Sequence, residues 1–275
     1  MSDAFEEATA RPLGAQQTPR IEPQAGGKVT MRPVDAVAPA VRVYLDHNGS
    51  TPTTPDVASE IRGFLERAWG NAGAAHPDGQ YAKLAIEKAR RRVMGALGAS
   101  GGDHLVFTSG GTESNNLAVL GLAEAELERE RGSAGAAKAR RHIVCGTHEH
   151  FSVIRAVEVL ERRGFRVTWI HPAPSGAIDL GEFSSAIEDD TLLACLMFAN
   201  NETGILQPVA DAARIAHDKG ALLLCDAVCG VGKEPVEVRA LGCDLLSVSG
   251  HKLHAPKGIG ALWIRAGVEL SLIHI

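Results

Sequence analysis

The chain has 275 residues, 45% of them hydrophobic, and a net charge of −5 at pH 7. That length and apolar content can bury one large core, or one large domain with part of a second. The mixed, mildly acidic surface carries no nucleic-acid footprint, and no apolar run approaches the roughly 20 residues of a membrane helix. Asp3, Glu6 and Glu7 near the start fit neither a secretory signal nor a typical transit peptide. The five cysteines (145, 195, 225, 229 and 243) lie mostly in apolar runs and read as reduced, buried thiols of a cytoplasmic protein. None has metal-site spacing.

Residues 1–40, rich in Ala, Pro, Gln and Gly, read as a disordered leader. Order is expected to begin at 41–46, and 41–64 form an N-terminal segment. Strands and helices then alternate over 65–268. Strands are predicted at 104–108, 142–146, 166–170, 192–199, 221–225 and 245–248, with a further apolar run at 259–264. Helices are predicted at 81–97, 113–130, 152–163, 180–188 and 208–219, and a mobile loop at 131–140. Alternation of this kind predicts an α/β domain around a mainly parallel sheet, and runs such as 192–198, apolar throughout, predict strands buried on both faces. Residues 269–275 read as a truncated or foreign tail.

Five polar clusters close five of these strands. Ser109-Gly110-Gly111-Thr112-Glu113-Ser114-Asn115-Asn116 joins a strand to a helix, as a phosphate cradle of free N–H groups or as a plain helix cap. Thr147-His148-Glu149-His150 is weak as a metal site, and an imidazole stacked on a ring and shuttling protons is the sharper reading. Asn200-Asn201-Glu202-Thr203-Gly204 either contacts a ligand or caps the next turn. Asp226 is either the start of an Asx turn or a ligand carboxylate at a strand's carboxyl end. Ser249-Gly250-His251-Lys252 places a lysine between a buried strand and a Gly/Pro loop, where desolvation would suit it to Schiff-base chemistry. A lysine for a Schiff base and an aspartate for a pyridinium nitrogen are the two groups that pyridoxal phosphate (PLP) most needs.

These segments resemble the cysteine desulfurases (the NifS/IscS-like group) of the class V aminotransferases, fold-type I PLP enzymes. The matching stretches are Tyr44 to Pro52, Gly70-Asn71 with His76 and Gly79, Ser109 to Asn116, Glu149-His150, Asn200 to Gly204, Asp226-Ala227-Val228, Ser249 to Lys252, and Pro256-Lys257-Gly258. The resemblance implies the large domain of that fold, a mainly parallel seven-stranded sheet flanked by helices. It implies that Lys252 bonds the cofactor and moves the Cα proton, that His150 stacks on the ring as acid/base, and that Asp226 pairs with the pyridine nitrogen. It implies that Asn201 contacts the ring hydroxyl or the substrate, and that Gly111, Thr112, Ser249 and His251 hold the phosphate.

The implied reaction converts L-cysteine to L-alanine, with sulfur passed to an enzyme cysteine and on to an acceptor or scaffold protein for iron–sulfur clusters or tRNA thiolation. A homodimer is implied, with no nucleic-acid or membrane partner. Three departures stand out. Cys229 occupies the position where the family has a glutamine near the ring hydroxyl, and a thiol is the poorer donor. Asn48-Gly49-Ser50 changes the family's asparagine-alanine-alanine-type start. The chain ends before the C-terminal domain against which 41–64 should pack, and in which the persulfide cysteine and the arginine for the substrate carboxylate should lie. Selenocysteine lyase, another β-lyase, an aminotransferase, and a non-catalytic PLP-domain fragment are the competing readings.

Overall fold

A computed structural model describes residues 43–132 and 138–271. The leader at 1–40, the centre of the loop at 131–140 and residues 272–275 lie outside the described residues. Residues 43–45 have no helix or strand, and everything below lies in the unit formed by Asp46–Ile275.

The strands are β1 (His104–Thr108), β2 (His142–Gly146), β3 (Arg166–Ile170), β4 (Thr191–Cys195), β5 (Leu222–Asp226), β6 (Leu245–Ser249) and β7 (Gly260–Ile264). They form one sheet in the order β1-β7-β6-β5-β4-β2-β3. Only β7 runs antiparallel to its neighbours. The mainly parallel seven-stranded sheet expected from the sequence is therefore present. β2, β4, β6 and β7 are buried along their whole length, as strands covered by helices on both faces must be. Alternation of side chains sorts the core into two layers. Leu245 and Leu262 pack on one face with Val153 and Leu160, and Leu246 and Trp263 pack on the other with Phe183 and Val209.

The helices are α1 (Pro55–Arg67), α2 (Pro77–Ala96), α3 (Gly111–Gly132), α4 (Phe151–Arg162), α5 (Leu180–Ala186), α6 (Val209–Asp218) and the single turn α7 (Val238–Leu241). Two of them, α1 and α7, were not read from the sequence. α1 buries no residue, and Leu65 and Trp69 near its end are 75% and 72% exposed. β4 ends at Cys195 rather than at 199. The extended chain nevertheless continues its ladder, since Leu196 N–H donates to Leu224 O (3.0 Å) and Phe198 N–H to Asp226 O (2.8 Å). Of the tail, Ser271 is buried against α3, donating from its backbone N–H to Gly121 O (2.9 Å) and from Oγ to Glu128 (3.1 Å). Among the described residues no helix is long and apolar enough to cross a membrane.

The parallel strands leave their carboxyl ends on one edge, and β7 begins there. A Cβ on Gly260, its first residue, would lie 2.6 Å from backbone atoms of Gly110. A Cβ on Gly95, in the last turn of α2, meets nothing within 4 Å. Gly260→Ala should therefore lower the stability read from urea unfolding by about 1–3 kcal/mol, because backbone must move. Gly95→Ala should raise it by about 0.5 kcal/mol through lost chain entropy.

Candidate active site

The five polar clusters converge at that edge around a cavity of about 220 Å³. All nine residues singled out from the sequence line it: Gly111, Thr112, His150, Asn201, Asp226, Cys229, Ser249, His251 and Lys252.

The turn after β1 leads directly into α3. A Cβ on Gly111 would stand 2.7 Å from Val228 Cγ2 and 3.6 Å from Ser249 Cβ, so glycine lets this turn seat against the loops after β5 and β6. Glu113 caps the turn by accepting from Ser109 N–H at 2.6 Å, which holds its carboxyl below the usual range. Across the cavity mouth Ser249, 2% exposed, has an Oγ with no hydrogen-bond partner. His251 pairs through Nδ1 with Ser50 Oγ (3.2 Å), and burial together with Lys252 and Lys257 keeps its pKa low.

Asp226 is 4% exposed. Its Oδ1 accepts from Val228 N–H at 3.0 Å, which is the Asx turn, and its Oδ2 accepts from Asn115 Nδ2 at 2.8 Å, while the residue also lines the cavity. Asn115 Nδ2 gives its second proton to Ser152 Oγ (2.9 Å), which stands 2.7 Å from His150 Nδ1. Ser152 N–H also donates to that Nδ1, at 3.1 Å. A nitrogen that accepts from an N–H carries no proton of its own, so Ser152 O–H donates to it and the neutral ring is protonated at Nε2. Asn115 and Ser152 were missed as site residues. Asn115 stood within the Gly-rich stretch, one turn into α3, while nothing in the sequence marks Ser152 as its partner.

Some expectations change. Lys252 was expected buried at a strand end; it is half-buried on a 3₁₀ turn after Ser249, and its Nζ donates to the Asn48 backbone carbonyl. The turn simply carries it past the edge of the sheet. In the Asn200 cluster the roles divide. Asn200 Oδ1 caps the next turn by accepting from Glu202 N–H (3.1 Å) and Thr203 N–H (2.9 Å), whereas Asn201 faces the cavity. Burial pushes the Cys229 thiol up, with the Lys252 and Lys233 ammonium groups pulling the other way. The remaining cysteines are buried. Of the His-Glu-His run, only His150 reaches the cavity. His148 has both ring nitrogens unpartnered, and burial lowers its pKa.

Glu149 lies beneath the site, 5% exposed, accepting Met197 N–H on Oε1 and lacking any donor to Oε2. Burial first, and the charge of Asp226 second, push its carboxyl well above the usual range. The folded chain thus keeps a proton that the unfolded chain releases near pH 4.5. Folding then carries a proton uptake, and stability falls as pH rises from there to the folded pKa. Glu149→Gln, neutral at all pH, should escape this. Its stability relative to the parent should grow with pH by up to about 1.4 kcal/mol per unit over that window, read from denaturant midpoints. A gap that does not change with pH would remove the case for a neutral Glu149.

Residues 43–273 match the family described as aminotransferase class-V. The chain is 38% identical over 234 residues to cysteine desulfurase IscS of Anaeromyxobacter dehalogenans, covering 85% of this chain and 55% of that protein. Among solved structures, a NifS-like protein superposes with a TM-score of 0.77 at 37% identity, covering 86% of this chain and 62% of the other. SspA in complex with cysteine superposes with a TM-score of 0.76 at 34% identity, covering 84% and 64%. The chain thus spans about half the length of the curated relatives it matches. Class-V aminotransferases and cysteine desulfurases are PLP-dependent enzymes. With a mainly parallel seven-stranded sheet, five polar clusters on one edge and the match running through all of them, the chain belongs to the class-V aminotransferase family.

Proposed function

We propose that this chain is the PLP-binding part of a cysteine desulfurase. The observation that carries the reading is the convergence of Lys252, Asp226, His150 and the Gly111–Ser249 cradle on one cavity. The residues fit the cofactor. Ser249 Oγ is a buried donor without a partner, Gly111 lets its turn seat closely against Val228 and Ser249, and the N-terminus of the long helix α3 opens beside both. Free N–H groups and a hydroxyl at a helix start suit a phosphate.

When bound, PLP supplies an aldehyde that bonds amines and a ring that draws electrons from the substrate Cα. Lys252 Nζ is the amine that would hold it and, once displaced by substrate, the base for the Cα proton. Asp226 would hold the ring nitrogen's proton, with Asn115 and Val228 N–H fixing its two oxygens. His150, oriented through Ser152, presents a protonated Nε2 to ring or substrate. Thr112, Ser249 and His251 would hold the phosphate, and Asn201 and Cys229 the opposite wall.

The cysteine seen with SspA supports L-cysteine as the amino acid. Four buried thiols and the wall residue Cys229 supply no sulfur acceptor, so the persulfide would form on a cysteine outside these. The exposed apolar residues of α1 support the packing of 41–64 against further chain. A cytoplasmic homodimer passing sulfur to an acceptor protein completes the proposal. The thiol at Cys229 favours a second reading, a different class V lyase or aminotransferase. Sulfide and alanine formed in equal amounts from L-cysteine by the longer enzyme, with an added thiol reductant to release the persulfide sulfur as sulfide, support the desulfurase, whereas keto-acid products support the second reading.

Adding PLP to this chain should give a visible absorbance band that Lys252→Ala abolishes. Asn115→Ala should weaken cofactor binding about tenfold, the scale of one hydrogen bond to a charged group. No band with the parent chain, or a band that survives Lys252→Ala, would refute the assignment.

A further inference from the structure

A second cavity, of about 550 Å³, adjoins the first and shares Lys252 with it. Its lining includes His47, Asn48, Lys233, Lys252 and His254, and no acidic residue. Neither lysine is ion-paired with a carboxylate among the described residues. Instead one residue holds both. Lys233 Nζ donates to Asn48 Oδ1 (2.9 Å) and Lys252 Nζ to Asn48 O. The nearby Asp46 carboxylate is taken up by its own turn, accepting from Gly49 N–H at 3.0 Å.

The local backbone is built to bring these cations together. Lys233 follows Gly232, whose φ is +78° and whose missing Cβ would stand 2.6 Å from Leu253 Cδ2, so the chain can fold back only with glycine there. His254 is the only non-glycine residue with positive φ among the described residues, at 60°. Its N–H donates to Thr51 Oγ1 (2.7 Å), and its Nδ1 donates to Pro52 O (2.9 Å), which fixes the ring. A left-handed histidine persists only where its surroundings over-determine it, and such positions gather at functional sites.

We infer that this second cavity is a carboxylate-binding site, in which Lys233 and His254 take the α-carboxylate of the amino acid whose amine would displace Lys252 from the cofactor. The inference rests on the PLP reading for the amine and on the basic lining for the carboxylate. In an amino acid the two groups are separated by one carbon, and Lys252 stands where the two cavities join, so one ligand can reach both. The site is additional to the arginine that the family resemblance places beyond this chain. An ammonium group with no carboxylate beside it attracts an anion.

Two measurements test it. In the first, the cofactor-free chain carrying isotope-labelled lysine and histidine is titrated with sodium acetate at constant ionic strength, against sodium chloride. Saturable shifts of the Lys233 and His254 resonances with acetate alone are expected, and Lys233→Met should abolish those at His254. In the second, the PLP-loaded chain is titrated with L-alanine and with L-alaninamide, followed by its absorbance. Lys233→Met should weaken L-alanine at least about tenfold and the amide less than about twofold, with Lys233→Arg restoring most of the loss. Equal shifts with chloride, no saturation, or equal weakening of both ligands overturns the inference. If the chain takes up no PLP, the cofactor reading fails while the acetate titration still decides this site. If Lys233→Met does not fold, the parent titrations and Lys233→Arg decide it.

Discussion

A carboxyl group sunk at the end of a central strand organises this site. Taking a carboxylate out of water is costly unless donors replace the lost hydration. Asp226 has both oxygens met, one by the backbone two residues on and one by Asn115. Because Asn115 uses its second amide proton on Ser152, the same contact ties α3 to the start of α4 and sets the tautomer of His150. Glu149 stands close enough to feel the charge of Asp226, has no donor for one oxygen, and so keeps its proton. Two acids in one buried region are thus assigned different work by their neighbours alone.

The sheet explains why these groups meet. Parallel strands joined by helical crossovers bring their strand-to-helix turns to one edge, where ligands of open α/β sheets bind. β7 is the exception in direction, and it matters because its first residue, Gly260, packs on the backbone of Gly110 beside the phosphate-type cradle. Loop closeness there depends on glycine at 111, where α3 begins, and at 260, where β7 begins, two positions far apart in sequence.

The site then divides into two regions with different chemistry. The cavity under Asp226 and Ser249 is walled by donors and a carboxyl group, which suits a phosphorylated ring. Its neighbour has two lysines and no acidic residue in its lining, which suits an anion. Asn48 stands at their junction, binding one lysine through its backbone and the other through its side chain. Cys229 keeps its proton through burial, and so faces the first region as a neutral thiol.

The amino-acid sequence determined the class of fold and most of the strands by itself. Apolar runs of strand length, such as 245–248, cannot avoid burial, and the polar clusters that close them fall on one edge once the strands are parallel. Lys252, Asp226, His150 and Ser249 were legible for that reason. α1 was not read, although Val57, Ile61, Phe64 and Leu65 repeat at helical spacing, because it buries none of them in this unit. The tertiary structure alone decided which polar residues became partners. Asn115 and Asp226 are 111 residues apart, Lys233 and Asn48 are 185 apart, and no local rule links them. It also decided the half-exposed position of Lys252 and the inward turn of Glu149, since both depend on what packs above a strand end. Local spacing specifies where a side chain starts, and only the assembled sheet specifies what it meets.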